Sequence, residues 1–417
     1  MNGNKCWWKQ LQNSLRRSHM ISVGIDVSKG KSTICILKPY GEIVSSPFDV
    51  EHTDNSLLEL SKMLLRLDGE TKVVMEATGA YHMPILSYLK DQGLFVSVIN
   101  PLVMKEYRCK GLRKAKTDQL DAKMIANYGI DHWFHLVDYT PDSEVYQTLR
   151  LLGRQYAHYM RMKIESIQVL SNMMDYTMPG IRTLLKGYSD CNGKNKVADF
   201  MEYYWHYDNI TKKTESQFVK SYISWAKKRG YHQSESKALK IYALAKNGVP
   251  TLRSTSPSTK MLVVEAARVL KEIENTLRTI LTQMQELARD LPEYPVVRAM
   301  NGVGDVIAPR LIAEIGDVRR FYSRKALIAY AGIDAPPYQS GQFTGSNRHI
   351  TKRGSATLRK IGYEIMQCLK SFKPPEDAVY LFMMKKESEG KAPKVAKMAA
   401  LNKFLRIYYA RVTEVYT

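Results

Sequence analysis

Four acidic residues in the first third of the chain have the types and spacing of a metal site. Asp26 lies within the apolar, β-branched run 21–27, where an unpaired charge is costly. Glu76 ends a second apolar run, and Asp118 and Asp121 are three residues apart at a predicted helix start, so they point to one face. Carboxylate oxygens are preferred Mg²⁺ ligands, and a divalent ion beside a phosphate polarises the attacking oxygen. The pattern therefore predicts a Mg²⁺ site for chemistry on phosphates, with Mn²⁺ as the alternative ion.

Each acid also has a structural explanation. Asp118 fits a helix N-cap, Asp121 fits an acid in the first helical turn, and Glu76 fits an exposed strand end. Asp26 is the hardest to explain in this way, because its neighbours are apolar. The four acids together favour the metal site.

The chain is strongly basic. It has 62 Lys and Arg residues against 41 Asp and Glu, a formal net charge of +21 and a pI near 9.5. This excess favours nucleic acid over membrane as the partner, because no basic amphipathic helix with a clean apolar face is present. A basic run just before Asp118 supplies candidate phosphate contacts. These candidates are Arg108, Lys110, Arg113, Lys114 and Lys116.

The scattered cysteines and the lack of long apolar runs indicate the cellular compartment of the protein. The five cysteines are scattered without a CxxC pair, so neither a zinc site nor a disulfide framework is supported. The first 19 residues lack an apolar signal segment, and no apolar run approaches the ~20 residues needed to span a bilayer. We therefore expect an unexported, cytoplasmic protein with no membrane partner.

The elements that position the acids follow a recognisable order. Three short strands are followed by helix, strand, helix and strand, which is the order of a ribonuclease H-like domain, a mixed sheet covered by helices. The predicted strands are 21–27, 32–37, 42–48, 71–75 and 95–99, and the predicted helices are 54–67 and 81–92. We assign residues 20–140 to this α/β catalytic domain and residues 1–19 to an extension before it.

The middle of the chain, residues 141–295, is predicted to be helical. Apolar residues recur at helical spacing over 145–174, and they alternate steps of three and four over 263–291, which is typical of a coiled-coil seam. The seam's partner is either the 145–174 helix or a second chain. Residues 181–259 contain aromatic side chains among lysines and arginines, which fit either RNA-base stacking or the core of a small helical bundle.

The last third, residues 296–417, is predicted to be mainly helical. It opens with Gly302-Val303-Gly304, a turn between two helices whose backbone N–H groups could cradle a DNA phosphate. Amphipathic helices are predicted at 358–370 and 395–409.

Several motifs resemble those of the DEDD transposases of bacterial insertion sequences. The matching segments are 24–29 (GIDVSK), 75–81 (MEATGAY), 100–101 (NP) and 116–122 (KTDQLDA). That family includes pilin-gene-type DNA invertases and recombinases guided by a structured bridge RNA. The resemblance implies a RuvC-like domain whose Mg²⁺-dependent site is formed by Asp26, Glu76, Asp118 and Asp121, and a coiled-coil domain between two catalytic parts.

A second signature of the same family resembles residues 336–341 (PPYQSG) and 347–355 (NRHITKRGS), after a helix-hairpin-helix-like start at 300–310. By this resemblance Ser340 is the nucleophile. Ser346 and Ser355 are rival serines nearby, and the resemblance alone selects Ser340. Basic residues of this segment would face DNA, with two of them neutralising the charge of the phosphate under attack. The three basic candidates here are Arg348, Lys352 and Arg353.

The resemblance implies an RNA-guided DNA transposase that cleaves and rejoins strands through a phosphoserine intermediate. Its partners would be target and donor DNA, a structured guide RNA, and copies of itself in a dimer or tetramer, acting at the bacterial nucleoid. Two alternatives stay open. One is a metal-dependent RuvC-like nuclease or junction resolvase without a covalent intermediate. The other is a non-catalytic nucleic-acid-binding protein that keeps the fold.

Overall fold

The computed structural model describes residues 19–108, 117–140, 143–185, 194–336, 339–340, 343–344 and 349–417, with the backbone alone at 339–340 and 343–344. The chain divides into two compact units, Met1–Pro141 and Asp142–Thr417. The finer division of the chain into the four predicted segments stays a prediction.

The described part of the first unit contains a five-stranded mixed sheet. Its strand order is β3-β2-β1-β4-β5, with β1, β2 and β3 antiparallel and with β4 parallel to both β1 and β5. The predicted ribonuclease H-like, RuvC-like fold of this domain is confirmed. The strands are β1 Met20–Val27, β2 Lys31–Leu37, β3 Ile43–Glu51, β4 Glu70–Glu76 and β5 Val96–Ile99.

Helices cover this sheet on both faces. One face packs its β-branched side chains against α1 and α2, whose leucines recur at helical spacing. The other face contacts α4, and Met104 of α3 joins α4 and Val74 in a smaller cluster. The helices are α1 Asp54–Leu65, α2 Met83–Asp91, α3 Pro101–Arg108 and α4 Asp118–Asp131.

A long helical hairpin starts the second unit. It consists of α5 (Glu144–Thr177) and α10 (Pro257–Arg289). Leu149 and Tyr156 of α5 and the seam residues Ile273, Leu277 and Met284 of α10 are buried in one cluster. The partner of the predicted coiled-coil seam is therefore a helix of the same chain.

Among the described residues between the arms of the hairpin there are four helices. They are α6 Lys196–Tyr204, α7 Asp208–Thr211, α8 Glu215–Arg229 and α9 Glu235–Asn247. Their aromatic side chains Phe200, Tyr204, Phe218, Tyr222 and Trp225 are buried together. Of the two explanations for the aromatic residues of this segment, the core of a small helical bundle is the one that the structure supports.

The carboxyl-terminal part of the second unit is mainly helical, as predicted. Its helices share one hydrophobic core with the part of the hairpin that contains Leu149 and Tyr156 of α5 and Ile273, Leu277 and Met284 of α10. They are α11 Tyr294–Arg298, α12 Ile307–Ile315, α13 Arg324–Ala331, α14 Ala356–Phe372, α15 Ala378–Ser388 and α16 Pro393–Glu414, and a small ribbon pairs β6 Gln339–Ser340 with β7 Phe343–Thr344. Within the described residues, no helix has the length and apolarity required to cross a membrane.

Candidate active site

Asp26 occupies the face of β1 on which α4 lies. Side chains alternate along a strand, so Gly24 and Asp26 share a face. A β-carbon on Gly24 would lie 2.2 Å from the Ala122 carbonyl oxygen and 2.3 Å from the Ala126 amide nitrogen. The absence of a side chain at Gly24 therefore lets the backbone of α4 rest directly on β1, with the start of the helix beside Asp26.

The start of α4 presents the two aspartates. Thr117 is the N-cap, since its hydroxyl oxygen accepts a hydrogen bond from the Leu120 amide at 3.2 Å. The explanation of Asp118 as an N-cap is therefore wrong; it is the first residue of the helix, and Asp121 lies in the first turn. Asp121 is buried and Asp118 is exposed. A buried carboxylate at this position requires a cationic partner.

Glu76 is the last residue of β4, the strand parallel to β1. It pairs with Ile99 of β5, so it lies at the carboxyl edge of the parallel strands, where open α/β sheets form their sites. Its side chain is 23% exposed, which leaves it accessible to a ligand.

The four acids influence one another. Burial, and then the negative charges of Asp121, Asp118 and Glu76, raise the pKa of Asp26 to about 6, and the positive charge of Arg108 acts in the opposite direction. All the predicted metal ligands therefore act on one carboxyl group, although they come from two strands and a helix. Carboxylates that repel one another in this way favour a bound cation.

Arg108, at the end of α3, supplies positive charge at this site. Its Nη2 atom lies 3.4 Å from Asp121 Oδ1 and 3.9 Å from Glu76 Oε2. The sequence predicted Arg108 as a phosphate contact, and its contact with the acids was not foreseen. The signal that could have found it was its position between Glu76 and Asp118, since a cation among separated acids is a natural counter-ion.

The acids suit a divalent metal by donor type and charge. All are carboxylates, and a guanidinium already stands between two of them as a cation. Over the described ranges of the chain, however, no three or more His, Cys, Asp or Glu side chains are arranged so that they could hold an ion. The structure therefore brings the charges together without gathering their oxygens around one point.

A polar row that the sequence did not indicate continues from Asp26 across the sheet. Thr33 of β2 pairs with both Asp26 of β1 and Asp49 of β3. Its hydroxyl donates to Asp49 Oδ1 at 2.6 Å, and Lys31 Nζ donates to Asp49 Oδ2 at 2.9 Å. This exposed ammonium at the rim of the acidic site is available to a phosphate.

The predicted nucleophile lies in the second unit. The backbone of Ser340 belongs to β6, paired with Phe343 of β7. Rival Ser346 lies outside the described residues. Ser355 caps α14, where its hydroxyl accepts from the Leu358 amide at 2.9 Å and donates to Glu314. A structural role therefore accounts for Ser355.

Both ends of the Ser340 loop are tied together. The Thr351 hydroxyl donates to Asp334 Oδ1 at 2.6 Å, and the Lys352 amide donates to the Gly332 carbonyl at 3.0 Å. A β-carbon on Gly354 would lie 2.4 Å from the Gly332 nitrogen, so these two glycines allow the segments to touch. We call Gly332, Asp334, Thr351 and Gly354 the loop clamp.

The predicted phosphate contacts are only partly within the described residues. Lys352 and Arg353 follow the loop and are exposed. Gly302, at φ +80, faces α14, because a β-carbon there would lie 3.0 Å from the Ile365 carbonyl oxygen; Gly304 faces open space. Packing thus accounts for Gly302, and Gly304 is the accessible glycine of the turn. Lys110, Arg113, Lys114, Lys116 and Arg348 lie outside the described residues.

Comparison with known proteins gives a consistent picture. A family model described as a transposase matches residues 23–179, and a model of the transposase IS116/IS110/IS902 family matches residues 294–381. The first match includes all four acids, and the second includes Ser340.

The chain is similar to a protein of an insertion element and to two pilin gene-inverting proteins. The chain is 24% identical to the insertion element IS116 uncharacterized 44.8 kDa protein of Streptomyces clavuligerus, over 90% of each chain. It is 22% identical to the pilin gene-inverting proteins of Moraxella lacunata and Moraxella bovis, over 94% of this chain and 95% of theirs. Among solved structures, T. thermophilus RuvC in complex with a Holliday junction substrate matches 28% of this chain and 94% of its own, at 15% identity and a TM-score of 0.21.

Proposed function

The chain belongs to the IS116/IS110/IS902 family of DEDD transposases, and we propose that it cleaves and rejoins DNA strands through a covalent bond to Ser340. The observation that carries the proposal is that Arg108 lies within 3.9 Å of both Glu76 and Asp121, while the charges of Glu76, Asp118 and Asp121 all raise the pKa of Asp26. Carboxylates arranged in this way suit metal-assisted chemistry on a phosphodiester better than any role in folding, because their mutual repulsion destabilises the fold.

These four acids would hold Mg²⁺, or Mn²⁺ in its place. The ion, when bound, supplies a positive charge that polarises the scissile phosphate and lowers the cost of forming an alkoxide. Asp26 and Glu76 are held by strands, and Asp121 is held by the packing of α4 on Gly24, so the donors are positioned by the fold. In the absence of the ion, Arg108 neutralises part of their charge.

The proposed step exchanges one phosphate ester for another. The Ser340 oxygen forms a bond to the scissile phosphorus while the bond from phosphorus to the 3′ oxygen breaks. Overall, the proton of the serine hydroxyl is transferred to the departing 3′ oxygen. Attack of a different 3′ hydroxyl on the phosphoserine reverses these changes and joins a new strand, so no nucleotide cofactor is consumed.

Basic residues would hold the DNA during this step. Lys352 and Arg353, which lie between Thr351 and Gly354 of the loop clamp, would neutralise the charge on the attacked phosphate. Arg108 and the Gly304 turn are further phosphate contacts, together with Lys110, Arg113, Lys114, Lys116, Gly302 and Arg348.

The family supports further features of the proposal. A structured bridge RNA would select donor and target DNA, and two or four copies of the chain would act together in the bacterial cytoplasm. The high positive charge of the chain suits both nucleic acids.

Covalent trapping tests the serine step. The DNA substrate is labelled on the strand that would keep the 5′ phosphate after cleavage, and a nick beside the cleavage site lets the fragment with the 3′ hydroxyl dissociate, so rejoining is prevented. This DNA is incubated with the protein, its guide RNA and Mg²⁺, and is then denatured. We expect labelled protein from the parent and from the matched control Ser346→Ala, and none from Ser340→Ala. Strand joining that proceeds unchanged in Ser340→Ala would refute the serine role, and cut DNA without labelled protein would indicate a metal-dependent nuclease instead.

A further inference from the structure

Helices α6 to α9 form a module inserted between the arms of the long hairpin. The chain leaves α5 near Tyr176 and returns at Thr251 and Leu252, whose amides donate to the Tyr176 carbonyl at 3.0 and 3.2 Å. The module has its own core, which also includes the adjoining ends of α5 and α10. The two family matches end at residue 179 and resume at 294, so neither assigns a role to this segment.

Most carboxylates of the module are engaged in internal contacts. Asp199 Oδ1 lies 2.9 Å from both Arg229 Nη1 and Lys271 Nζ, and Glu202 Oε2 lies 2.7 Å from Lys271. Asp208 accepts a hydrogen bond from the Ser254 hydroxyl. These contacts tie the module to α10 and to its own return segment, and the ion pairs place cations against Asp199 and Glu202.

Many lysines of the module point outward and are not paired in this way. Within the described residues, none of them has a carboxylate within ion-pair distance. They are Lys212, Lys220, Lys227, Lys228, Lys240 and Lys246, and all are exposed. Lysines without carboxylate partners on a folded surface favour a polyanionic ligand.

Helix α8 arranges part of this charge in a line. Its inward face is formed by Phe218, Val219, Tyr222, Trp225 and Ala226, which are all buried. The opposite face carries two lysines and two serines at intervals of four, four and three residues, and all four are exposed. We call these residues the α8 stripe: Ser216, Lys220, Ser224 and Lys227.

The chemistry of the α8 stripe selects its partner. Ammonium and hydroxyl groups bind phosphate oxygens. The rise of 1.5 Å per residue puts Lys220 and Lys227 about 10 Å apart, which is comparable with the ~12 Å width of the major groove. Recognition of unpaired bases requires exposed aromatic rings, and those of α8 are inside the module. A duplex contacted through its backbone fits both observations.

We propose that the α8 stripe of the second unit is a second DNA-binding surface, which contacts the phosphate backbone of duplex DNA. The proposal rests on the proposed function only in taking DNA as the substrate. It assigns the module to positioning the duplex and gives it no part in bond breakage.

Equilibrium binding tests this proposal independently of catalysis. Binding of the full-length protein to a fluorescein-labelled 30-base-pair duplex of mixed sequence is followed by anisotropy in EDTA from 50 to 200 mM KCl. The test variant is Lys220→Gln/Lys227→Gln, since glutamine keeps helix propensity. Its matched controls are Lys220→Arg/Lys227→Arg, which keeps the charge, and Lys385→Gln/Lys394→Gln, which removes two exposed charges elsewhere.

We expect the glutamine variant to bind roughly tenfold more weakly, with a salt slope smaller by about 0.9 for each lost contact. The arginine variant should bind like the parent, and the distant variant should change much less. An equal loss of affinity in the distant variant would overturn the proposal, and so would an unchanged salt slope in the test variant. A test variant that loses affinity for a hairpin RNA and not for the duplex would overturn it as well. Because EDTA prevents metal-dependent cleavage, failure of the serine mechanism would leave this measurement unaffected.

Discussion

At the scale of single residues, the negative charge that Asp26 needs in order to bind a metal ion lowers the stability of the folded chain. Its carboxyl group is partly buried near three other acids, and its pKa is raised to about 6 because ionisation there requires more free energy than in water. In the unfolded chain the same group ionises near its ordinary value of 3.8. Stability therefore falls as pH rises from about 4 to 6 and stays lower above that range.

Replacement of Asp26 by asparagine should relieve this cost. With solvent screening taken into account, we expect Asp26→Asn to be more stable than the parent by roughly 1–2 kcal/mol above pH 6, and nearly equal to it at pH 4. Urea unfolding in EDTA at the two pH values measures the difference. Added Mg²⁺ should stabilise the parent more than the variant, and an equal effect on both would contradict Asp26 as a ligand.

Candidate site residues could be chosen from the sequence where the signal was local. A charge inside an apolar strand indicated Asp26, the three-residue spacing indicated Asp118 and Asp121, and their role as metal ligands stays a prediction. The contact between Arg108 and the acids was not predicted: its place between Glu76 and Asp118 in the sequence suggests a counter-ion, but which acids it contacts depends on where α3 ends in space. The row from Asp26 through Thr33 to Asp49 depends on strand register, which hydrophobic pattern alone did not fix.

At the scale of elements, the site depends on how closely α4 approaches β1. Gly24 allows this approach on the strand, and Gly129 allows it on the helix, where a β-carbon would lie 2.1 Å from the Ser22 hydroxyl oxygen. Gly24 on the strand and Gly129 on the helix thus determine how closely α4 approaches β1. That distance in turn determines where the aspartates at the start of α4 lie.

A methyl group at Gly24 should push the helix away. We expect Gly24→Ala to lower the free energy of unfolding by about 3 kcal/mol, because the obstructing atoms are backbone atoms that cannot rotate aside. Stabilisation by Mg²⁺ should be lost as well. Thermal unfolding with and without the ion measures both effects.

Gly153→Ala in α5 is the control for this change. A β-carbon there would lie 3.4 Å from its nearest neighbour, the Ala313 β-carbon, and alanine favours a helix by about 1 kcal/mol. We expect this variant to be at least as stable as the parent. A tolerated Gly24→Ala would show that α4 does not need to lie directly on β1.

Elements with strong periodicity were predicted well, and their ends less well. The helical character of α5 and α10 followed from apolar spacing, and a mixed sheet covered by helices followed from the succession of strands and helices along the chain. The predicted third strand, 42–48, ends three residues before β3 does, because Asp49 and Glu51 are polar although the strand continues through them. The partner of the seam depended on tertiary packing that a single sequence does not specify.

At the scale of the whole molecule, the proposed chemistry is divided between two compact units. The acids belong to the first unit and Ser340 to the second. Each unit has its own buried clusters, so each is expected to respond separately to destabilising changes.

A carboxylate in the second unit offers a way to test this independence. Glu293 is 1% exposed; the Tyr146 hydroxyl donates to its Oε1 at 2.7 Å, and the Tyr416 hydroxyl donates to its other oxygen. We expect Tyr416→Phe to cost about 2 kcal/mol, because a buried carboxylate loses a donor. Calorimetry should show the loss in one transition only.

Gly24→Ala, in the first unit, should instead lower the midpoint of the other calorimetric transition. A single transition that both variants move together would show that the two units unfold as one.

The meeting of Thr251 and Leu252 with Tyr176 has a practical consequence for engineering. An insertion whose first and last residues touch can be exchanged for a cargo with similarly adjacent termini without stretching its host. The tip of the long hairpin is therefore a graft point, where a fluorescent reporter could replace residues 178–250, and the replacement must also cover the apolar side chains of α5 and α10 that the module buries.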